Sequence, residues 1–549
     1  METQAASSAS AEAEVRESWL PMIIVALGQM LLSFNTSALP ISMGGMVKSF
    51  DTPPTTVATA IVLYSLGVSA FIMVGAKFGQ RFGSQRVFQA SVLALGATML
   101  VMALSPNAMV MVAAQGLAGL AGAALVPTLI VLIASHYRGN QQAEAVGWVG
   151  SAGAAAAVLT FVLGGTLATF LSWRVTFGLG VVHAAVVVLL SFRLKPSECK
   201  PNVSIDGVGV VLAAASIVLI TFGFSNIQRW GLLLAGANAP FDLLGASPAP
   251  VLIVFGIALG MAFLAWTQRR VAMQRTPLLA LGVIDSPIQW VAVVALCCIG
   301  GIEAAINFAV PLYIQIVQGR TSLETAAAMM PLMLSVVLIA ILIVRLYERI
   351  TPRQIARFAF LLVTLGTAWL AIVVKNEWST VPVILGLITV GLGQGALLTL
   401  LFSVLVTSSP SELAGDVGSL RGVAQNLAAA IGTAVVGALL VGLLSSIIMS
   451  HLNENPVITA ELKNEVNLSN MNFFSDDQLT QRLASTTATP AQLDEALGIN
   501  ADARTRALKI GFLVLSGLAL LAIVPCSWLP DYTPGESPSG QASLKGSAT

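Results

Sequence analysis

Long apolar runs recur along the whole chain, and they constrain its fold more than any other feature. A helix needs about 20 residues to cross the bilayer core, and about fourteen runs of that kind can be marked off. They begin near Trp19, Thr56, Val87, Ala108, Ala145, Val175, Gly207, Val251, Gln289, Thr325, Ile355, Val381, Val423 and Ala507. Of 549 residues, 56% are hydrophobic and only 10% charged. A soluble domain carries roughly 25% charged residues, so these runs belong in lipid. The expected fold class is an all-α polytopic membrane protein.

Several functions are disfavoured by what surrounds the runs. The net charge of +1 gives no footing for nucleic acid. No Gly-x-x-x-x-Gly-Lys-Ser/Thr loop, catalytic triad or metal-ligand spacing occurs, so the expectation is no enzyme, no cofactor and no metal. Cys297, Cys298 and Cys526 fall in apolar runs and Cys199 in a basic loop, a pattern of small apolar fillers. Ahead of Trp19, Glu2, Glu12, Glu14 and Glu17 outnumber Arg16, which does not fit a cleaved signal peptide.

Basic residues favour cytoplasmic loops. Lys77, Arg81 and Arg86 cluster after the second run, Arg193, Lys195 and Lys200 after the sixth, Arg269, Arg270 and Arg275 after the eighth, and Arg345, Arg349, Arg353 and Arg357 after the tenth. The alternate short loops have single cations: Lys48, Arg174, Arg229, Arg320 and Lys375. Both termini are therefore expected in the cytoplasm. The outer segment 450–506 is acidic, and Ser475 to Gln478 and Thr489 to Gln492 read as capping boxes, so two short helices outside the membrane are expected there.

The chain contains a weak copy of itself. Phe78 to Arg86 corresponds to Leu346 to Arg353, Asn140 to Gly147 to Ser411 to Gly418, and Gln115-Gly116 to Gln394-Gly395. Repeated halves mark secondary transporters, which bind substrate between the halves near the midplane. The expected organisation is a tail 1–18, a six-helix half 19–192, an inserted helix pair with linkers 193–287, a second six-helix half 288–529 containing the outer loop 450–506, and a tail 530–549.

Glu303 is the only acidic residue near the middle of an apolar run. Holding a carboxylate there costs several kcal/mol unless it faces a wet cavity or is protonated, and the expected role is proton coupling. Gly300 and Gly301 would let another helix approach, and Asn307 lies one turn on. His183, the only histidine inside a run, is the second proton-coupling candidate. In the first run Gln29, Ser33 and Thr36 share a face, beside Asn35. With Gln115, Thr160, Asn307 and Gln394 they are candidates for contacting substrate, interhelical hydrogen bonding being the alternative. Gly147 to Ala157 is a run of small residues suited to a sliding helix interface.

The whole chain resembles the fourteen-span drug:proton antiporters of the major facilitator superfamily. The resemblance rests on ordered motifs: Ala76 to Gly83, Ala114 to Gly119 with Pro127, Gly164-Gly165 with Leu171 to Phe177, Pro311 to Gly319 with Met330-Pro331, and Gly391 to Gly395. It implies the major facilitator fold of two six-helix halves plus two inserted helices, and multidrug efflux by alternating access. It implies gating roles for Gln80, Arg81, Gly83 and Arg86, and for Arg349 and Arg353 in the second half. It also implies a hydrophobic or amphipathic small-molecule substrate, protons as coupling ions, a bacterial inner membrane and a monomer. Departures accompany the matches: Gln80 stands where the family usually has Asp, Val112 where it has Arg, Thr160-Phe161 where it has Gly-Pro, and Leu31 where many members have an acid. The alternatives are an uncoupled carrier of a lipid-like metabolite, or a membrane sensor or scaffold that kept the fold.

Overall fold

The structure, a computed structural model, describes residues 18–531 apart from 138, 197–198, 200–202, 232, 237–238, 242–244, 348, 376–379, 410–412, 455–475 and 485–488. Fourteen of its helices are long and apolar enough to cross a membrane. They are α1 (Leu20–Ile41), α2 (Pro54–Phe82), α3 (Ser84–Leu104), α4 (Ala108–His136), α5 (Gly139–Leu159, continued through a π-helical turn Thr160–Gly164 into Gly165–Phe170) and α6 (Trp173–Ser191). Then follow α7 (Gly207–Trp230), α8 (Pro248–Ala272), α9 (Pro287–Leu312, continued as a π-helical turn Tyr313–Val317) and α10 (Ser322–Tyr347). The last four are α11 (Pro352–Val373), α12 (Thr380–Thr407), α13 (Ala414–Glu454) and α14 (Pro490–Leu521). Successive helices run in opposite directions, so the bundle has two ends. One contains Lys48, Phe170 and Arg320; the other contains Phe82, His136 and Arg349.

Large apolar side chains stay open on the outward faces, among them Leu104, Met109, Val211, Val254, Leu338 and Ile372. Such a continuous apolar exterior is stable only against lipid, which makes this an integral membrane protein.

The internal repeat is a repeat of packing. In the first half α2 packs on α4, α3 on α4 and α6, and α1 on α5. In the second, α10 packs on α12, α11 on α12 and α14, and α9 on α13. Each pairing returns eight helices later. Of the inserted pair, α7 lies over the seam where α2 meets α13, and α8 packs on α7. The two approach closely at Gly223 and Gly256, and Ser216 donates to the Gly256 carbonyl at 2.7 Å. Asp206 fixes their membrane-surface end: it caps α7 through Gly209 N, accepts from Trp266 Nε1 and sits 3.5 Å from Arg270 Nε.

Helix ends differ from the hydropathy boundaries where local chemistry overrides them. Thr489 and Gln492 do form a capping box, but the helix it opens runs without a break into the last span, so α14 begins at Pro490 instead of near Ala507. The expected second short helix is thus the exposed start of α14. Likewise α13 begins at Ala414, ahead of Val423, and runs to Glu454. A short helix Asp476–Leu483 packs between these extensions through Leu452, Leu483 and Ile499. Arg504, fully buried, meets Asp476 at 2.7 Å. The cap expected at Ser475 lies outside the described residues.

Candidate functional site

Glu303 sits midway along α9, a helix started by a capping box at Ser286 and Gln289 with Pro287 in its first turn. Gly300 and Gly301 bring α13 close. A Cβ on Gly432 would collide with the Gly301 carbonyl oxygen, and one on Gly300 would already touch Ala428. The approach expected of these glycines is therefore made by α13. This close seam turns the Glu303 carboxyl toward α12 and α13. The Gln394 amide of α12 is within hydrogen-bonding reach, and the guanidinium of Arg421 on α13 acts on it through space. Arg421 stacks 4.2 Å from the Phe402 ring centroid, and its Nε lies buried without a hydrogen-bond partner. Glu303 and Asn307 are both half-buried. Charge, countercharge and partial access therefore coincide at mid-helix.

The first half repeats this arrangement in neutral form. Asn35 of α1 and Gln115 of α4 exchange two amide hydrogen bonds, at 3.1 and 3.4 Å, and neither is exposed. Since the two satisfy each other, neither amide is open to a ligand in this conformation. Gln29 and Ser33 are half-buried, 3.4 Å apart, against the Gly153 surface of α5. Thr36 is exposed, on a helix that packs within its own half and also touches α9 and α10 of the other. Thr160 is buried and donates to the Ala156 carbonyl at the start of the π turn in α5.

His183 is placed elsewhere. Its Nε2 contacts the Leu27 carbonyl at 3.0 Å across the α1–α6 seam, in the half opposite Glu303. Gln80, Arg81 and Arg86 are exposed at the turn between α2 and α3, and Gly83 has φ of 88°, which Gly adopts without strain. Arg349 is exposed. Arg353 engages the chain after α14, through Leu529 O at 3.0 Å and Asp531 at 2.9 Å.

Sequence reasoning missed Arg421. Starting the thirteenth run at Val423 assigns it to a loop. Asp416, an acid of the kind favoured in a helix's first turn, is the available clue that the helix has already begun.

Two repeated six-helix halves, an inserted pair and a charged site at mid-helix define a secondary-transporter fold. The Major Facilitator Superfamily model matches residues 25–433, and the chain belongs to that family. It is 25% identical over 429 residues to the tetracenomycin C resistance and export protein of Streptomyces glaucescens, covering 77% of this chain and 76% of that one. It is 23% identical over 422 residues to the multidrug efflux pump LfrA of Mycolicibacterium smegmatis, covering 76% and 80%. Among solved structures, a bacterial homolog of the human lysosomal transporter Spinster, in an inward-facing and occupied conformation, superposes with a TM-score of 0.58. It is 13% identical and covers 93% of this chain and 98% of its own. The peptide transporter PepTSo gives 0.58 at 13% identity, covering 92% and 96%. These likenesses carry the fold.

Proposed function

We propose that this membrane transporter exports a hydrophobic or amphipathic small molecule by alternating access and couples export to protons at Glu303. The observation that carries the reading is the partly buried Glu303 carboxyl facing Gln394 and Arg421. Relatives named for drug resistance and export supply the substrate class. The ionised carboxylate is held toward Arg421, and a proton abolishes that attraction. A charge pair slightly beyond contact is worth about 2–3 kcal/mol at an effective dielectric of about 20. Inverting a two-state equilibrium from 1:99 to 99:1 takes about 5.5 kcal/mol. Proton exchange alone therefore shifts the balance partway, and differential substrate binding supplies the remainder.

The basic loops set the Phe82 and Arg349 end in the cytoplasm, together with both termini. The Lys48 end then faces outward, in a bacterial inner membrane, and the protein acts as a monomer. Proteoliposomes loaded with an amphipathic aromatic dye test the coupling. An imposed pH gradient should drive dye movement, and dissipating the gradient should stop it. Dye flux indifferent to the gradient would favour a second reading, an uncoupled carrier. That reading is motivated by Gln80, Val112 and Leu31 standing where the family's charges usually stand.

A further inference from the structure

Among the described residues, three hydrogen bonds cross between the halves at the Lys48 end of the bundle. Gln315 Nε2 donates to the Pro40 carbonyl at 2.9 Å, and Gly44 N donates to Gln315 Oε1 at 2.6 Å. On the opposite flank Leu323 N donates to Thr169 Oγ1 at 2.9 Å. The first joins the ends of α1 and α9, the helices that correspond in the repeat, each with a proline close to its end, Pro40 and Pro311; the second reaches the short helix Met43–Phe50 that follows α1. Gln315 is 7% exposed, and both polar atoms of its amide are engaged.

The backbone at Gln315 is not regular α-helix, and a second irregular turn lies a few residues before Thr169. Gln315 is the central residue of the π-helical turn Tyr313–Val317, and Thr169 follows the π-helical turn Thr160–Gly164. Single π turns inside helices mark places where the ladder has been interrupted, frequently at functional positions. Pro311, lacking an N–H, also removes the hydrogen bond that the Asn307 carbonyl would accept, one turn beyond Glu303. The chain has thus softened both helices next to the residues that reach across. Close packing supports the same closure: a Cβ on Gly44 would meet the Gln315 side chain, and one on Gly165 would fall 2.9 Å from Ala326 Cβ.

We infer that Gln315 is the latch of the gate at the Lys48 end, holding the two halves shut there through Pro40 and Gly44, with Thr169 and Leu323 as the second catch. The inference rests on the alternating-access reading but not on its substrate or its proton. A primary amide suits the task because it donates and accepts at once without carrying a charge that closing would have to strip of water. In the state open at this end the amide exchanges these partners for water, so the latch biases the equilibrium without fixing it.

Spin labels at Lys48→Cys and Arg320→Cys, in a protein whose Cys199, Cys297, Cys298 and Cys526 are replaced, report the opening directly as a distance distribution in nanodiscs. No transport and no substrate are needed, so a failed flux assay and a failed latch are separate results. Each lost hydrogen bond is expected to change the equilibrium about fivefold. Gln315→Leu should therefore raise the ratio of long to short distances about fivefold or more, and Thr169→Val should move it the same way by a smaller factor. Gln318→Leu is the control. Its Nε2 bonds the Lys375 carbonyl at the same end but within one half, and its distribution should match the parent. The latch is overturned if folded, monodisperse Gln315→Leu keeps the parental distribution, or if Gln318→Leu opens the gate equally. Should Gln315→Leu fail to fold, Thr169→Val decides: an unchanged distribution overturns the closure at both catches.

Discussion

Glu303 faces Gln394 in the second half, and in the first half Asn35 hydrogen-bonds Gln115. The two glutamines occupy matching places in α4 and α12, and their partners lie in the corresponding helices α1 and α9. Corresponding helices thus carry a related pairing in two chemistries. The amide pair is permanently neutral and closed on itself. The carboxyl version can change charge, and Arg421 supplies a cation within its field.

Replacing Glu303 by Gln fixes the site in an uncharged form that keeps its shape and its contact with Gln394. The expected outcome is a normally folded protein whose pH-driven dye flux falls at least tenfold, while exchange of dye at equal pH on both sides persists. Dye accumulation measured in proteoliposomes decides the point, and undiminished pH-driven flux would remove Glu303 from the coupling role.

Arg421 makes two separable contributions, its charge near Glu303 and its stacking on Phe402. Arg421→Gln removes both and leaves the carboxylate without its countercharge, so pH-driven flux should drop tenfold or more. Arg421→Lys keeps the charge but loses the planar stack, because an ammonium does not substitute for a guanidinium there. An intermediate rate is expected. Equal rates for Lys and Gln would mean that the charge at 421 does not act on Glu303.

Much of this architecture is legible in the sequence because hydropathy counts helices and the repeat pairs them. Gln115 and Gln394 are recognisable as equivalent from Gln-Gly in both halves. Their partners are not, because which side chain of a neighbouring helix meets a glutamine depends on helix rotation, which packing decides. Asn35 therefore reads as open to substrate as Thr36, although one is buried and the other exposed. Arg421 escapes for a different reason: hydropathy marks where lipid begins, and α13 starts before that. Gln315 is visible only as part of the Pro311 to Gly319 motif, since its partners Pro40 and Gly44 lie in the other half, far away in sequence.

Orientation is open to a direct test. Ser84 is buried and would label poorly, whereas Gln80, Arg349 and Lys48 are exposed. Single cysteines at Gln80 and Arg349 should resist a membrane-impermeant thiol reagent in intact cells and react after permeabilisation, while one at Lys48 should react at once. Labelling of the first two from outside would invert the topology.

The segment between α13 and α14 is the last test, and its packing changes how the experiment must be built. Leu452, Leu483 and Ile499 form a small core away from the main one, so the short helix Asp476–Leu483 rests on the extensions of two spans. Replacing 455–488 with a flexible Gly/Ser linker removes Asp476 and takes away the carboxylate that faces the buried Arg504. Breaking one side of a buried pair costs about 3–5 kcal/mol, less where a partner is as open to water as Asp476. The linker protein should therefore also carry Arg504→Met, which roughly keeps the side-chain volume and removes the charge. With that change it is expected to insert normally, to unfold within a few degrees of the parent in a thermal scan, and to retain dye flux within about threefold. The linker protein that keeps Arg504 should unfold at a lower temperature than either the parent or the linker protein carrying Arg504→Met. Loss of flux in a well-folded linker protein carrying Arg504→Met would make the segment a working part of the transport cycle.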